Sequence, residues 1–253
     1  MDISNKVIVI TGAGQGIGQS IALYLAGYKA KFALIDVDQV LLQQTVELIE
    51  KQGSSAKAYL ANVANEKEVE GVFKQIFTDF SAIDCLINNA GVLSDGLLIK
   101  TKDGKVSQKM SVEQFHKVID VNLTGVFLCA REASIYMVEQ KTAGVIINMS
   151  SVARGGNIGQ TNYSAAKSGV VAMTVTWARE LGKYGIRVAA IAPGVIRTKM
   201  TDAMKPEMRD RLIKMKPIGR LGDAKEIAHT VKYILENEFF TGRVIEVDGG
   251  LSM

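Results

Sequence analysis

The residue pair with the clearest chemical potential is Tyr163 and Lys167, which lie four positions apart in Tyr163-Ser-Ala-Ala-Lys167. Residues at this spacing project from the same face of a helix. A free tyrosine has a pKa of about 10, too high for a base at neutral pH, but a nearby ammonium favours the phenolate and should lower that pKa. The pair therefore indicates proton transfer to or from a substrate, although the same spacing also occurs in ordinary helices.

A second candidate site is the glycine-rich segment Thr11-Gly-Ala-Gly-Gln-Gly-Ile-Gly18, which follows an apolar run and opens a helical pattern. Glycine lets the chain turn tightly, and the free N–H groups and dipole of a helix N-terminus stabilise a phosphate. In this strand–turn–helix context the segment predicts a dinucleotide site, with a purely structural turn as the alternative. The predicted contacts are Gly12, Gln15, Gly16, Ile17 and Gly18.

Asp36 ends the second apolar run, 24 positions after Gly12, close to the roughly 20 expected for a ribose-binding acid. Its carboxylate can accept hydrogen bonds from both ribose hydroxyls of NAD. The 2′-phosphate of NADP would meet a like-charge repulsion of about 4 kcal/mol per charge pair at about 4 Å, and Gln15 and Val37 offer no positive charge against it. We therefore predict NAD(H) as the cofactor. The alternative, that Asp36 caps the next helix, is weaker because Asp38 is better placed.

Short apolar runs alternate with longer amphipathic stretches along the chain, which has no Gly/Ser-rich linker. Nearly continuous apolar runs are typical of parallel strands covered on both faces. The alternation predicts an α/β fold, a single-domain (residues 1–253), doubly wound, Rossmann-type parallel sheet of seven strands with helices on both faces. The predicted strands are Val7–Ile10, Lys31–Ile35, Ala56–Ala61, Ile83–Ile87, Gly144–Asn148, Ile186–Ile191 and Arg243–Val247. The predicted helices include Gly16–Gly27, Gln39–Lys51, Glu66–Phe80, Ser111–Glu139 and Ala165–Lys183.

Two segments depart from this alternation. Lys100–Lys109 (KTKDGKVSQK) is polar, contains Asp103-Gly104 and predicts a surface hairpin or loop. Residues 199–216 have a helical pattern rich in methionine, which indicates either core packing or, because methionine repacks easily, an adaptable lid. This second segment follows the carboxyl end of a strand, where α/β sheets bind their ligands, so we predict that it covers the substrate.

The composition argues against several classes of function. Thirty basic and 26 acidic residues give a formal charge of +4, with no basic run dense enough to predict nucleic-acid binding. No apolar run reaches the ~18 residues that suggest a membrane span, and no secretory signal is recognisable, so we expect a soluble, cytoplasmic protein. Cys85 and Cys129 lie in apolar segments, and His116 and His229 have no partners at metal-site spacing. Neither a disulfide nor a metal site is predicted.

Five motifs together resemble the short-chain dehydrogenase/reductase family over essentially the whole chain. They are the glycine-rich segment, Asn88-Asn89-Ala90-Gly91, Asn122 in Val121-Asn-Leu-Thr-Gly125, Tyr163-x-x-x-Lys167 with Ser151 upstream, and Pro193-Gly194 followed by Thr198. The resemblance implies an oxidoreductase that interconverts a carbonyl and a secondary alcohol. It also implies a catalytic set, which is Asn122, Ser151, Tyr163 and Lys167. The polar segment Lys100–Lys109 then reads as an insertion relative to the family.

The resemblance further implies a role for each of these residues. Ser151 would hydrogen-bond the substrate oxygen and stabilise its developing charge, with the adjacent Ser150 as the alternative. Lys167 would also bind the nicotinamide ribose, and Asn122 would hold a water that connects Lys167 to solvent. Asn62 stands where many members have an aspartate beside the adenine. The implied cofactor contacts beyond the glycine-rich segment and Asp36 are Asn62, Val63, Asn89, Ala90, Gly91, Tyr163, Lys167, Pro193, Gly194, Val195, Ile196 and Thr198.

The carboxyl-terminal motifs are similar to those of the 3-oxoacyl-(acyl-carrier-protein) reductase branch. They are Pro217-Ile-Gly-Arg-Leu-Gly222, Glu226-Ile-Ala228, Thr241-Gly242 and Val247-Asp-Gly-Gly250. This similarity implies reduction of a 3-oxoacyl thioester of acyl carrier protein or CoA, or the reverse oxidation, although Asp36 departs from the NADPH preference usual in that branch. The alternatives are a dehydrogenase of a small secondary alcohol, sugar alcohol or steroid, and a non-catalytic dinucleotide-binding protein.

Two kinds of protein contact also follow from the resemblance. Docking of a carrier protein would need a basic rim near the pocket, which Lys141, Lys183 and Arg187 could supply, although ordinary solvated charge is the preferred interpretation of each. Family members usually pair the two long helices, here Ser111–Glu139 and Ala165–Lys183. The last strand and residues 251–253 would complete a second two-fold interface, so we expect a homotetramer.

Overall fold

The computed structural model describes residues 1–198, 201 and 206–251. Its strands are β1 (Val7–Thr11), β2 (Lys31–Asp36), β3 (Ser55–Leu60), β4 (Cys85–Asn88), β5 (Ile99–Lys102), β6 (Lys105–Lys109), β7 (Val145–Met149), β8 (Arg187–Pro193) and β9 (Val244–Val247). Seven of these strands form one parallel sheet in the order β3-β2-β1-β4-β7-β8-β9, so the direction of winding reverses between β1 and β4. The predicted doubly wound sheet is confirmed, with strand boundaries that differ by one or two residues.

Helices pack on both faces of this sheet. The described helices are α1 (Gly16–Ala26), α2 (Gln39–Glu50), α3 (Glu66–Phe80), α4 (Val112–Ile119), α5 (Gly125–Glu139), α6 (Thr161–Leu181), α7 (Pro206–Lys214) and α8 (Ala224–Glu236). Alternate strand residues point to opposite faces: Ile8 and Ile10 enter a core formed with α1, α2 and α8, whereas Val9 enters a second core with α3 and α5. Burial on both faces explains the nearly continuous apolar runs of these strands.

None of the helices that the structure describes is both long and apolar enough to cross a membrane. Cys85 and Cys129 are buried free thiols, as their apolar surroundings in the sequence predict. Burial raises the pKa of Cys129 to about 12, which keeps this thiol protonated.

The predicted single helix Ser111–Glu139 is wrong in its middle. α4 ends at Ile119, α5 begins at Gly125, and a π-helical turn over Asp120–Thr124 joins them, closed by a hydrogen bond from the Gly125 N–H to the Asp120 carbonyl. A π turn inserts one residue into a helix, and such turns are frequent at functional sites. Hydrophobic periodicity continues across one extra residue, so the sequence pattern did not reveal the interruption.

α6 begins at Thr161, four residues before the predicted start at Ala165, so Tyr163 lies in its first turn. The side chain of Gln160 makes no capping hydrogen bond. Instead, the Asn162 amide oxygen accepts a hydrogen bond of 2.8 Å from the Tyr163 N–H. The usual N-cap signal is therefore missing from the sequence, which explains the late prediction.

The polar segment Lys100–Lys109 contains an antiparallel hairpin of β5 and β6, separate from the main sheet. Its two-residue turn places Asp103 at φ +51° and Gly104 at φ +74°. Two successive positive φ angles define the type I′ turn, for which Asp-Gly is a preferred pair. All nine residues of the two strands are exposed.

Candidate active site

Four loops meet at the carboxyl edge of the sheet, after β1, β4, β7 and β8. They carry the glycine-rich segment, Asn89 and the residues after it, Ser151, and the Pro193–Thr198 segment. The direction of winding reverses between β1 and β4, and in open α/β sheets ligands bind in the crevice at such a point. The structure therefore brings the predicted cofactor and catalytic residues to one edge of one sheet.

The glycine-rich segment forms a close backbone turn. Gly12 has φ +64°, and a Cβ there would lie 2.8 Å from the Ala90 Cα, so a larger side chain would push into the neighbouring loop. Gly16 has φ +60° but faces open space, where a Cβ would meet only the Thr198 methyl at 3.8 Å. α1 starts beside this space without a side-chain cap from Gln15, which leaves first-turn N–H groups for an anion. The cradle fits the pyrophosphate of a dinucleotide.

The segment after β4 braces this turn. The Asn89 amide nitrogen donates to the carbonyls of Thr11 at 3.1 Å and Gly12 at 3.0 Å. The N–H groups of Asn89 and Ala90 both donate to the Thr11 hydroxyl at 3.0 Å. Gly91 faces Asn122, whose amide oxygen would lie 3.5 Å from a Cβ at Gly91. Asn89 and Ala90 thus hold the glycine-rich turn in shape, and their predicted contacts with the cofactor stay a prediction.

Asp36 lies directly against the same turn. Its Oδ2 accepts a hydrogen bond from the Gly14 N–H at 2.9 Å, and its Oδ1 accepts one from the Val37 N–H at 2.8 Å. Asp38, not Asp36, caps α2, because its side chain accepts from the N–H groups of Val40 and Leu41. The carboxylate of Asp36 is therefore fixed at the end of β2, where it can meet an adenosine ribose.

The two predicted adenine-side residues lie after β3. The Asn62 amide oxygen accepts a hydrogen bond from the Ala64 N–H at 3.0 Å, and this carbonyl can accept a second from an exocyclic amine. Val63 is buried against Gly125, where a Cβ would lie 2.9 Å from the Val63 Cγ2. Val63 thus also packs the start of α5 against this loop.

Lys167 is buried beside Tyr163. Its Nζ donates to the Met149 carbonyl at 2.7 Å and lies 5.6 Å from the centre of the Tyr163 ring. Burial lowers the pKa of Lys167 to about 8, so the ammonium still carries its charge at neutral pH. The buried charge is held at the end of β7, one helical turn from the phenol.

The lowering of the Tyr163 pKa is expected from the Lys167 ammonium together with the positive charge of an oxidised nicotinamide, whereas the protein's own groups raise it. Burial is the largest influence and raises the pKa of Tyr163, and the Asp95 carboxylate adds to the rise, whereas the Ser151 hydroxyl lowers the pKa. The sequence revealed the neighbouring lysine but not the depth of burial, which disfavours the phenolate. In the free protein Tyr163 is therefore a protonated phenol.

The structure separates the two candidate serines. Ser150 is buried, and its hydroxyl donates to the Lys167 carbonyl at 2.9 Å, which anchors α6 to the end of β7. Ser151 is partly exposed beside the Tyr163 phenol, and its Oγ accepts a hydrogen bond from the Ala153 N–H at 3.1 Å. Ser151 is the serine whose hydroxyl can reach a substrate oxygen together with Tyr163.

Asn122 is fully buried in the π-helical turn. Its amide oxygen accepts from the Val92 N–H at 2.8 Å, and its amide nitrogen donates to the Val92 carbonyl at 3.0 Å. The side chain therefore positions the loop that follows Gly91. Its predicted role in holding a water beside Lys167 stays a prediction.

The Pro193–Thr198 segment is hydrogen-bonded to the carboxyl-terminal part of the chain. The Gly194 N–H donates to the Val247 carbonyl at 2.9 Å, and the Val195 carbonyl accepts from the Gly222 N–H at 3.1 Å. The Thr198 N–H donates to the Thr201 hydroxyl at 2.8 Å. These contacts fix the backbone of the Pro193–Thr198 segment, and the Ile196 side chain is buried in the core beside Gly222. The predicted contacts of this segment with a nicotinamide stay a prediction.

The predicted substrate lid falls partly outside the described residues, which omit 199–200 and 202–205. Within the lid segment, α7 spans Pro206–Lys214. Lys216 follows it, is buried, and donates from Nζ to the Val195 carbonyl at 3.0 Å. Lys216 thus ties the end of this segment to the cofactor-facing backbone, a link that sequence reasoning missed.

Asn162 is the second residue that sequence reasoning missed. Its side chain is fully buried and its amide nitrogen donates to the carbonyls of Ser94 and Gln114, each at 3.0 Å. Its amide oxygen accepts from the Tyr163 N–H, so the first turn of α6 is fixed to two neighbouring segments. The one available signal was a polar residue directly before Tyr163.

The residues suggested for a basic rim do not lie near the pocket. Lys141 precedes β7, Lys183 precedes β8 and Arg187 begins β8, so all three occupy the amino edge of the sheet, opposite Tyr163. The Arg187 guanidinium donates to the carbonyls of Ile234 and Phe240, each at 2.9 Å, and therefore fastens α8 to the sheet. The sequence placed these residues at helix ends without showing which edge those ends occupy.

Comparison with known proteins agrees with this geometry. Over residues 12–252 the chain matches the family described as enoyl-(acyl carrier protein) reductase. It is 39% identical over 253 residues to the 3-oxoacyl-[acyl-carrier-protein] reductase of Staphylococcus aureus, with 98% of each chain covered. It is 40% identical over 256 residues to the 3-oxoacyl-[acyl-carrier-protein] reductase of Synechocystis sp., with 99% of this chain and 98% of the relative covered.

A solved structure is also similar over the whole chain. The crystal structure of levodione reductase is 32% identical, with a TM-score of 0.89 and 98% of each chain covered. The likeness therefore extends over both the cofactor-facing and the substrate-facing parts of the crevice.

Proposed function

Because this chain belongs to the short-chain dehydrogenase/reductase family, we propose that it reduces a 3-oxoacyl thioester to the 3-hydroxyacyl form with NADH. The observation that carries the proposal is the placement of the Ser151 and Tyr163 hydroxyls side by side, with the buried Lys167 Nζ 5.6 Å from the centre of the Tyr163 ring. Two hydroxyls that converge on one position suit a single carbonyl oxygen. The names of the similar reductases supply the thioester.

The protein's own groups perform the proton transfer and the positioning. A bound nicotinamide supplies the hydride to the carbonyl carbon. The Tyr163 phenol donates its proton to the carbonyl oxygen, and a raised pKa suits this acid because the phenol is protonated before each turnover. The Ser151 hydroxyl donates a hydrogen bond to the same oxygen and stabilises its developing charge. The Lys167 ammonium binds the ribose hydroxyls and favours the phenolate that remains.

The proposed cofactor is NADH, which Asp36 supports. Its carboxylate is fixed beside Gly14 and Val37 by hydrogen bonds of 2.9 and 2.8 Å, so it cannot swing away from a 2′-phosphate without losing both. Positions 15 and 37 could carry a basic residue to offset the charge of a 2′-phosphate, but they hold Gln15 and Val37, which are uncharged. A fixed carboxylate therefore disfavours NADPH by like-charge repulsion.

The proposed assembly is a homotetramer. Phe127 and Ile135 on α5 are 42% and 43% exposed, and they lie eight residues apart on one face of that helix. Large apolar side chains exposed on one helix face favour burial against a second copy through a two-fold axis. Sedimentation of a monomer at every concentration would contradict this assembly.

A second candidate function is reduction of a small carbonyl compound that is not a thioester, which the similarity to levodione reductase favours. The same hydroxyl pair would serve such a substrate. The family description names an enoyl reductase, which reduces a carbon–carbon double bond. That reaction delivers the proton to carbon and does not need two converging hydroxyls, so the site favours carbonyl reduction.

The test is a substrate comparison with the purified enzyme, in which consumption of NADH is followed by its absorbance. The substrates are an acetoacetyl thioester, the matching crotonyl thioester and a panel of small ketones. We expect the highest kcat/KM for the acetoacetyl thioester and much slower reaction with NADPH. A higher kcat/KM for a small ketone, or for the crotonyl thioester, would show that the proposed substrate is wrong.

A further inference from the structure

The β5–β6 hairpin, Ile99–Lys109, projects from the edge of the crevice and is called the docking arm below. An isolated two-stranded hairpin is marginally stable in water, and all nine strand residues of this one are exposed. The main sheet gains no strand from it. We propose that the docking arm is the surface on which an acidic carrier protein docks while its 3-oxoacyl thioester enters the site. This proposal rests on the proposed function and adds the place of contact.

The charges on the docking arm point to an acidic partner. The arm contains a single carboxylate, Asp103, and four lysines, which are Lys100, Lys102, Lys105 and Lys109. Lys102 lies directly opposite Lys105 in the register of the two strands, and like charges in that position destabilise a hairpin. None of the four lysines forms an ion pair with any residue that the structure describes. A negative partner surface would relieve this repulsion and speed association.

The root of the arm lies next to the catalytic tyrosine. The Gly96 N–H donates to the Gly159 carbonyl at 2.8 Å, and the Gln160 side chain donates to the Asp95 carboxylate at 3.0 Å. Both contacts lie within four residues of Tyr163 in the chain. The Asp95 charge also acts on the Tyr163 phenol. A carrier on the arm is therefore close to the reacting atoms, unlike one bound at the amino edge of the sheet.

The apolar residues of the arm and its root favour a protein as the occupant. Leu98 is 67% exposed and Val106 is 61% exposed, and both would be buried by a protein partner. Residues 99–109 contain no aromatic residue, the kind of side chain on which nucleic-acid bases stack, and no arginine, which binds phosphates through two hydrogen bonds. The four lysines are spread over both strands, each about 15 Å long. This spread fits a protein face better than the few phosphates of a CoA ester.

The test uses two full-length variants with equal changes in charge. The arm variant carries Lys100→Glu, Lys102→Glu, Lys105→Glu and Lys109→Glu. The edge variant carries Lys29→Glu, Lys51→Glu, Lys141→Glu and Lys183→Glu, which change exposed lysines before β2, β3, β7 and β8, at the opposite edge. Each is assayed with NADH and the acetoacetyl group on acyl carrier protein, on CoA and on N-acetylcysteamine, which has neither protein nor phosphate.

We expect kcat/KM of the arm variant for the carrier-bound substrate to fall about tenfold or more through KM, as expected for lost charge complementarity. Its kcat/KM for the N-acetylcysteamine thioester should equal that of the parent, and the CoA ester should lose less than the carrier substrate. The edge variant should match the parent with all three. Unchanged activity of the arm variant on carrier substrate would overturn the proposal, as would an equal loss with the CoA ester.

Two further measurements keep the proposal separate from the proposed function. If the parent reduces none of the thioesters, the proposed function fails, and the arm proposal is judged by the Kd of the parent and the arm variant for the carrier protein alone. Equal Kd values would overturn it. A lower oligomeric state of the arm variant in sedimentation would assign the arm to contacts between copies. Arm-dependent binding of the parent to anionic vesicles or duplex DNA would assign it to those partners, and either result would contradict carrier docking.

Discussion

The two sides of the crevice are built in different ways. On the cofactor side, the Gly12–Gly18 turn is enclosed by Asn89 and Asp36, with hydrogen bonds of 2.9 to 3.1 Å between them. On the substrate side, Val92 is hydrogen-bonded to Asn122, and the chain that follows it leads into the docking arm. All strand residues of that arm are exposed. The cofactor side therefore tolerates little change, whereas the substrate side can vary in sequence without disturbing the cradle.

The catalytic residues lie where the two sides meet. Ser150 and the Met149 carbonyl hold α6 and Lys167 against the end of β7, which belongs to the rigid sheet. Asn162 connects the same helix to the Ser94 and Gln114 carbonyls on the substrate side. Proton transfer is thus positioned by both sides, whereas binding of the pyrophosphate and adenosine of NADH depends on the cofactor side alone. This difference predicts which variants lose turnover, which lose affinity and which lose selectivity.

The largest expected effect is that of Tyr163→Phe, which removes the proton donor and keeps the ring. Turnover should fall by about 10²–10⁴-fold, the usual contribution of general acid–base catalysis. Tyr184→Phe is the matched control, because Tyr184 is 46% exposed at the opposite edge of the sheet and should leave turnover unchanged. Near-parental turnover of Tyr163→Phe would mean that the proton comes from another group.

A smaller but clear effect is expected from Gly12→Ala on the cofactor side. The new Cβ would lie 2.8 Å from the Ala90 Cα at φ +64°, so the turn must shift, at about 1–3 kcal/mol of stability. KM for NADH should rise about tenfold or more, since the cradle is displaced. Gly53→Ala is the control, because Gly53 has φ +82° but nothing within 4 Å of a Cβ. It should lower the thermal midpoint and leave KM for NADH unchanged.

Asp36→Ala should change selectivity more than rate. Removal of the carboxylate takes away a like-charge repulsion on the order of 4 kcal/mol. The ratio of kcat/KM for NADPH to that for NADH should therefore rise about tenfold or more. Asp38→Ala provides the control, since Asp38 caps α2 through two backbone N–H groups; it should lose about 1 kcal/mol of stability and keep the preference for NADH. Equal use of both cofactors by the parent would disprove the assignment to Asp36.

The smallest expected effect is a pH dependence set by Lys167. Burial lowers its pKa to about 8, so the ammonium is charged below that pH and loses its charge as the pH rises through it. Reductase kcat/KM should decline several-fold between about pH 7 and pH 9. Lys167→Arg keeps a positive charge over this range, so its slower reaction should lack this decline. A parent profile that stays flat to about pH 9 would show that the charge of Lys167 is not required.

The sequence predicted the cofactor side better than the substrate side, for a physical reason. Glycine at positions 12 and 16 meets a local backbone requirement, and the continuous apolar strands record burial on both faces, so both are readable from residue type and spacing. The resemblance favours Ser151 over Ser150, but the physical reason lies in the hydrogen bond from Ser150 to the Lys167 carbonyl, which joins two distant segments and is not visible in the sequence.

The errors of the sequence reading have the same origin. The place of Lys141, Lys183 and Arg187 was not foreseen because residue type does not show which edge of a sheet a helix end occupies. The raised pKa of Tyr163 was not foreseen because it comes mainly from burial, a tertiary quantity that residue type and spacing do not show. The extra residue in the π turn at Asn122 was missed because it leaves the apolar periodicity almost intact.

The most direct test of the division between the two sides is a calorimetric titration of NADH into the parent, Tyr163→Phe and Gly12→Ala proteins. We predict that Tyr163→Phe binds NADH within about threefold of the parent Kd, because the phenol carries no contact to the pyrophosphate or adenosine. Gly12→Ala should bind at least about tenfold more weakly, since its Cβ displaces the cradle. Loss of NADH binding in Tyr163→Phe, or parental binding in Gly12→Ala, would contradict the separation of cofactor binding from proton transfer.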